Sequence, residues 1–304
     1  MNYRTADLQA ALGHRFTSFK LLGQGGEGAV FAVYDRERKE DIALKITIDT
    51  GEVGLAERFE TEYRILAATR SDRLVRVYNR DRAMVRAADG NMYPHFWFSM
   101  EKCDSSVRRS YQQMTLRDRL TIVLQMLDGL ALLHAKNIAH RDIKPDNLFL
   151  VGSSRGPSVK IGDFGIATTT RFAPNSHNGR IHGSPAYLAP ERWLNSEDAD
   201  WRPADQYAAG ITMYELLSNG EMPLDFTAPP GTAPELASIA AFKTGHQTSA
   251  VRPLRIPERR GRPVRSVNPV LAQMLAKRPG WRHADVAECK RELENALLMD
   301  GLSS

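Results

Sequence analysis

The stretch His140-Arg141-Asp142-Ile143-Lys144-Pro145-Asp146-Asn147 decides how this chain is read. Counted from Asp142, it sets a carboxylate, an ammonium and an amide at offsets of zero, two and five. On one short loop, these groups can receive a proton, lie beside an anion and offer an oxygen to a metal. A loop that moves a phosphoryl group needs those three things. His140, and His134 before it, are read as structural histidines because no ligand cluster surrounds either.

Downstream, Leu148-Phe149-Leu150-Val151 is expected to be a short strand. A turn rich in breakers, Gly152 to Ser158, precedes a return strand at Val159-Lys160-Ile161. Asp163-Phe164-Gly165 follows at once, with Asp163 placed to hold a metal ion that bridges phosphate oxygens. Ala189-Pro190-Glu191 closes the segment that opens there. Upstream, Leu116, Leu120, Val123, Leu124, Leu127 and Leu130 recur at helical spacing. They predict a long core helix over 116–135 that delivers the chain to the 140–147 loop.

Nearer the N-terminus, Phe19-Lys20-Leu21-Leu22 runs into Gly23-Gln24-Gly25-Gly26-Glu27-Gly28, then into Ala29-Val30-Phe31-Ala32-Val33-Tyr34. This reads as strand, glycine turn, strand. Glycines let a backbone come close to phosphates, although the pattern alone also fits a flexible hairpin. A strand, not a helix, follows the glycines, which disfavours a dinucleotide site. Ile42-Ala43-Leu44-Lys45-Ile46 is a strand interrupted by one lysine, which is either an edge residue or a cation with a buried anionic partner. Residues 52–69 are expected to be helical, with Leu55, Phe59, Tyr63 and Leu66 on one stripe. Glu62 lies beside that stripe and is the first choice of partner for Lys45, with Glu60 and Glu57 as alternatives. Leu74-Val75-Arg76-Val77-Tyr78 and Phe96-Trp97-Phe98-Ser99-Met100 read as two further strands, and residues 1–15 as a leader with about one helical turn.

Four signatures thus follow one another: Gly23 to Gly28, Lys45, His140 to Asn147, and Asp163 to Gly165 with Ala189 to Glu191. In this order the chain resembles the eukaryotic-type Ser/Thr protein kinases, bacterial relatives included, over about residues 16–298. The resemblance implies an α+β bilobal fold. Its N-lobe, 16–101, would be a small antiparallel sheet with one main helix. Its C-lobe, 102–298, would be larger and mainly helical, with a leader at 1–15 and a tail at 299–304. It implies ATP and magnesium as cofactors. Gly23, Gln24, Gly25, Gly26, Gly28, Val30, Ala43, Lys45, Met100, Glu101, Cys103 and Phe149 would bind the nucleotide. Within that set, backbone groups of Glu101 and Cys103 would meet adenine at a hinge over Met100-Glu101-Lys102-Cys103-Asp104. Lys45, paired with Glu62, would hold phosphates; Asp142 would take the acceptor's proton beside Lys144; Asn147 and Asp163 would hold the metal.

The same resemblance gives Asp205 the task of holding the 140–147 loop, and pairs Arg282 with Glu191. Lys144, and Gly183-Ser184-Pro185-Ala186-Tyr187, match Ser/Thr rather than Tyr specificity, with the Ser184 hydroxyl able to bridge Asp142 and Lys144. Arg141 would bind a phosphate on the activation segment, with Thr168, Thr169, Thr170 and Ser176 as candidate acceptors. A non-catalytic nucleotide-binding scaffold and a small-molecule kinase are the competing readings. The scaffold is disfavoured by the intact set of catalytic positions, and the small-molecule kinase by Gly183 to Tyr187 and Ala189 to Glu191.

Two features depart from the pattern. Glu27 puts a carboxylate at the tip of the glycine turn, where it disfavours close approach of phosphates unless it faces solvent. Between Arg252 and Arg265 lie six arginines (252, 255, 259, 260, 262 and 265) against one acid, Glu258. This stretch reads as a solvated loop, or as a dock for an acidic partner; without interleaved aromatics, nucleic acid is disfavoured. At 304 residues and 42% hydrophobic, the chain can bury a sizeable core, and its net charge of +5 is mild. Two distant cysteines, Cys103 and Cys289, suit a reduced compartment. No apolar run is long enough for a secretory signal or a membrane span, so the expected location is the cytoplasm.

Overall fold

The computed structural model describes residues 5–25, 28–47, 54–87, 89–152, 156–165, 167–169, 183–194, 200–259, 262–264 and 266–302. The chain divides into two compact units, one of residues 1–104 with 163–165, the other of residues 105–162 with 166–304.

The first unit is built on a five-stranded antiparallel sheet in the order β1-β2-β3-β5-β4. Its strands are β1 (Phe16–Gly25), β2 (Gly28–Asp35), β3 (Glu40–Thr47), β4 (Val77–Arg86) and β5 (Met92–Glu101). Side chains alternate across a pleated strand, so β3 serves two faces at once. Ile42, Leu44 and Ile46 join Phe16, Phe31, Val85 and Trp97 in one core. Helix α1 (Thr5–Leu12) covers that core with Leu8 and Leu12. The opposite face of β3 carries Ala43 and Lys45 toward helix α2 (Leu55–Ala68), which packs Phe59 and Tyr63 on Phe98 of β5 at ring separations of 4.8 and 5.9 Å.

Three expectations change here. The leader is a two-turn helix whose leucines complete the core, not a single turn. Leu74 and Val75 are buried but precede the strand, which starts at Val77 and runs on to Arg86. Its partner starts at Met92, four residues before the expected Phe96: from the Ala87–Asn91 turn the two pair from Arg86 with Met92 to Val77 with Met100, with one irregularity between Val77 and Arg80.

The second unit opens with a short strand, β6 (Ser105–Ser106), and helix α3 (Leu116–Ala135). A reciprocal cap starts α3: the Thr115 hydroxyl accepts from the Asp118 N–H, and the Asp118 carboxylate accepts from the Thr115 N–H. Then come β7 (Ile138–Ala139), the 140–147 loop ending in a 3-10 turn, β8 (Leu148–Val151), β9 (Ser158–Ile161) and β10 (Thr168–Thr169). β6, β8 and β9 form one small sheet, and β10 pairs with β7. Helix α4 (Arg202–Leu217) is buried from Ala204 to Leu217, so it is enclosed on every side, with Asp205, Gln206, Thr212 and Glu215 as its buried polar members. Gly210 permits this: a Cβ there would lie 2.9 Å from Leu275 Cδ2 and 3.1 Å from Met274 Cβ. Helix α5 (Ala237–Thr248), strands β11 (Ile256–Arg259) and β12 (Arg262–Val264), and helices α6 (Val267–Met274) and α7 (Val286–Met299) complete the unit. The arginine-rich stretch, expected as a loop, therefore contains a two-stranded ribbon. Asn268 pins its approach by accepting from the Leu254 N–H and donating to the Leu254 carbonyl, at 2.7 and 3.1 Å. Among the described residues, no helix is long and apolar enough to cross a membrane.

Candidate active site

In the first unit, Lys45 is only 7% exposed. A buried ammonium needs an anion, and the pleat of β3 aims it at α2. Lys45 Nζ donates to Glu62 Oε2 at 2.6 Å and to Asp163 Oδ1 at 3.2 Å. The other oxygen, Glu62 Oε1, accepts the N–H of buried Phe164 at 3.3 Å. Of the three glutamates left open by the sequence, Glu62 faces the lysine, whereas Glu60 pairs with Arg64 and Arg80. Asp163 has a positive φ of 62° and a side chain 47% exposed.

The glycine turn joins β1 to β2 with Gly25 opposite Gly28. A Cβ at Gly28 would lie 2.3 Å from the Ile46 carbonyl oxygen, so packing against β3 dictates that glycine. At Gly23 and Gly25 a Cβ would meet nothing within 4 Å. Gly26 and Glu27 lie outside the described residues. Val30 lies half-buried on β2 opposite Lys45, Ala43 is buried on β3, and Met100 and Glu101 end β5. Gln24 is exposed on β1, and Cys103 is half-buried two residues beyond β5.

In the second unit, the 140–147 loop hangs from α4. Asp205 Oδ2 accepts the His140 N–H at 2.8 Å, and Oδ1 accepts the Arg141 N–H at 2.7 Å. His134 Nε2 lies 2.9 Å from the same carboxylate, and His140 Nε2 lies 3.1 Å from the Gly162 carbonyl. Both histidines hold the scaffold, as read. Asp142 is then fixed by donors on both oxygens. Oδ1 takes the Ser184 N–H at 3.0 Å, while Oδ2 takes Lys144 Nζ at 2.7 Å and Asn147 Nδ2 at 2.9 Å. Asn147 Nδ2 also donates to the Asp142 carbonyl at 2.8 Å. Phe149 follows on β8, half-buried. The Ser184 hydroxyl receives Lys144 Nζ at 2.6 Å. This corrects the expected bridge: the hydroxyl reaches the lysine, and the backbone N–H of Ser184 reaches Asp142. A recess beside the carboxylate is lined by Arg141, Asp142, Ser184, Tyr187, Trp201 and Asp205.

Arg282 meets Glu191 in a two-pronged pair at 2.7 and 2.8 Å, and also donates to the Pro203 and Ala276 carbonyls. One cluster carried no sequence signal. Arg108 joins Asp146 at 3.0 Å, the Tyr187 hydroxyl at 2.5 Å and Glu215 of α4. Burial by itself would lower the Arg108 pKa, but hydrogen bonding to Glu215 holds it above the usual value. Arg141 and Arg192 both stack on Trp201, at 4.3 and 4.0 Å from its ring. Burial pushes Arg141 down to about 10, and the nearby Arg192 adds to that. Of the candidate phosphate acceptors, Thr168 and Thr169 form β10, while Thr170 and Ser176 lie outside the described residues.

Comparison with known proteins gives the family of the chain. The serine/threonine-protein kinase Pkn1 of Myxococcus xanthus is 32% identical over 303 residues, 94% of this chain and 39% of that protein. The serine/threonine-protein kinase atg1 of Dictyostelium discoideum is 32% identical over 208 residues, 65% of this chain and 29% of that protein. The serine/threonine-protein kinase PknA of Mycobacterium tuberculosis (strain ATCC 25177 / H37Ra) is 28% identical over 210 residues, 68% of this chain and 47% of that protein. The chain spans less than half the length of each. The protein kinase domain family itself matches residues 16–290. With a match that runs from the first strand of the sheet into the last helix, the chain belongs to the protein kinase domain family.

Proposed function

We propose that the chain is an active ATP-dependent protein kinase that transfers the γ-phosphoryl group to Ser or Thr hydroxyls of protein substrates. The carrying observation is Asp142, whose two oxygens are oriented by Ser184, Lys144 and Asn147. A carboxylate so held can take the acceptor hydroxyl's proton as that oxygen bonds to the γ-phosphorus and ADP departs. Lys144 places an ammonium beside the same carboxylate. Lys45, held by Glu62 and Asp163, supplies the charge that grips phosphates. Gly23 and Gly25, which no packing contact requires, leave their backbone open to a close ligand. Adenine would be met by backbone groups of Glu101 and Cys103, with Val30, Ala43, Met100 and Phe149 as its apolar surroundings and Gln24, Gly26 and Gly28 on the phosphate side.

The residues also fit a magnesium ion. Both N–H bonds of the Asn147 amide go to Asp142, so its remaining polar atom is an oxygen, and the half-exposed carboxylate of Asp163 adds another. Among the described residues, no three His, Cys, Asp or Glu cluster for a metal. Magnesium needs only one or two protein oxygens beside phosphate oxygens and water. Asn147 and Asp163 would hold it, and it would neutralise phosphate charge. Neither cysteine forms a disulfide, and the use of ATP suits a cytoplasmic site of action.

Autophosphorylation of the activation segment is part of this reading. Two cations stacked on one tryptophan, both with pKa lowered first by burial, would be relieved by a phosphate dianion. Exposed Arg252 and Arg255 would suit an acidic surface on a partner. The test is purified protein with Mg-ATP and a generic protein substrate, beside Asp142→Asn and Lys45→Met. Phosphoserine or phosphothreonine is expected from the wild type, with Asp142→Asn slower by about 10²–10⁴-fold. Transfer that survives Asp142→Asn unchanged would refute the assignment. Mass spectrometry of the active protein should find phosphate on Thr168, Thr169, Thr170 or Ser176, and all four bare would refute autophosphorylation there.

A further inference from the structure

His246 stands in the last turn of α5 with no exposed surface, outside the residues given a role so far. That turn is pressed against the preceding loop: a Cβ at Gly245 would lie 2.5 Å from both the Asp225 carbonyl oxygen and Phe226 Cδ1. The imidazole is enclosed by Phe226, Tyr207 and Trp193, at ring separations of 5.1, 5.6 and 6.3 Å. Space alone would suit any flat apolar ring there.

The ring nitrogens say more. Nε2 lies 2.9 Å from the Pro185 carbonyl, and Nδ1 lies 3.0 Å from the Tyr207 hydroxyl. A carbonyl only accepts, so Nε2 carries the proton. Nδ1 of the neutral ring is then an acceptor, and the Tyr207 hydroxyl donates to it. Burial drives the imidazole down to about 4, which agrees with a neutral ring. Pro185 is the residue after Ser184, and its carbonyl also takes the Leu188 N–H at 3.4 Å. Ser184 is the residue whose N–H holds Asp142 and whose hydroxyl holds Lys144.

We propose that His246 is a positioning residue of the 183–189 segment: by holding the Pro185 carbonyl from α5, it fixes Ser184 and so the aim of Asp142 and Lys144. Histidine suits this place because it donates on one side of a flat ring and accepts on the other. The kinetic part of this inference rests on the kinase reading above; the structural part does not.

Three variants test it: His246→Phe keeps a ring without nitrogens, His246→Gln keeps a donor and an acceptor, and Tyr207→Phe removes only the hydroxyl. With Mg-ATP and dephosphorylated casein, His246→Phe should lower kcat/KM for casein about tenfold, the equivalent of one buried hydrogen bond of about 1.4 kcal/mol. His246→Gln should recover to within about threefold of the wild type, on the scale of a partly restored bond, with Tyr207→Phe between the two. Affinity for a fluorescent ATP analogue should stay unchanged throughout. Equal impairment of the Phe and Gln variants, or a Phe variant as active as the wild type, would overturn the proposal.

Hydrogen exchange provides the arm that needs no turnover. In His246→Phe the segment 183–189 should exchange about tenfold faster while segments from α3 and α4 keep their wild-type rates. Equal acceleration in all three segments would mean a merely structural residue and would overturn the inference. If the wild type itself leaves casein unmodified, the kinase reading fails and the exchange pattern alone decides the role of His246.

Discussion

Lys45 carries its charge where water hardly reaches, and this makes the residue scale the sharpest place for prediction. Lys45→Met would leave Glu62, 2% exposed, without its main cation, at a cost of about 3–5 kcal/mol in stability. A second change, Glu62→Leu, removes the stranded carboxylate and should recover a good part of that loss while activity stays absent. Urea unfolding of both single variants and the double variant measures the coupling. A loss in the double variant equal to the sum of the single losses would show that the pair does not interact. His246 gives a pH signature. Around it stand the Tyr207 hydroxyl of α4, the Pro185 carbonyl and the Lys277 ammonium; burial, with Arg282 adding to it, lowers Lys277 to about 8. With a folded value of about 4, below the ordinary 6.5, the neutral ring contributes fully above pH 6.5. That contribution, at most about 3 kcal/mol, is lost as the pH falls from 6.5 through 4. The stability gap between wild type and His246→Gln should therefore narrow over that window in urea titrations. Cys289, pushed up to about 12 by burial with Glu292 and Glu288 nearby, should resist iodoacetamide in the folded protein.

At the scale of elements, single side chains tie distant pieces of the second unit together. Arg108 links the end of the 140–147 loop through Asp146, the 183–189 segment through Tyr187 and α4 through Glu215. Arg108→Ala would leave Glu215, 5% exposed, to the hydroxyls of Tyr111 and Tyr187, which carry no charge, so a loss of about 3 kcal/mol is expected in thermal or urea unfolding. Arg108→Lys should recover little of it, because an ammonium cannot reproduce the planar fork. The start of α3 is a gentler case: Thr115→Ala removes half of its reciprocal cap and should cost about 1 kcal/mol. What the sequence revealed divides along the same line. The stripe of leucines in α3 and the lysine within β3 leave periodic or spaced patterns, and both were legible. Arg108 sits in a short polar linker and His246 is one histidine on a short helix, so neither leaves a pattern. The Ser184 contact to Asp142 runs through a backbone N–H, and every residue but proline has one.

For the whole molecule, the order of the motifs was enough to give the fold class, since a five-stranded sheet with one helix and then a mainly helical part follow from it. Chain limits were harder to read. The first fifteen residues offered only a weak alternation, yet Leu8 and Leu12 are 6% and 3% exposed on the face of the sheet away from α2. At the other end α7 runs to Met299, and Leu302 beyond it is 7% exposed. The shared family region, 16–290, is thus shorter than the piece that must stay together to be sound. A protein started at Phe16 would keep every motif and lose one wall of its hydrophobic interior, laying bare Phe16, Val85 and Trp97. It should melt lower and aggregate sooner than a protein started at Thr5, which a light-scattering melt of the pair would reveal. The family match and the packed interior end at different places along this polypeptide, and whoever trims it should follow the second.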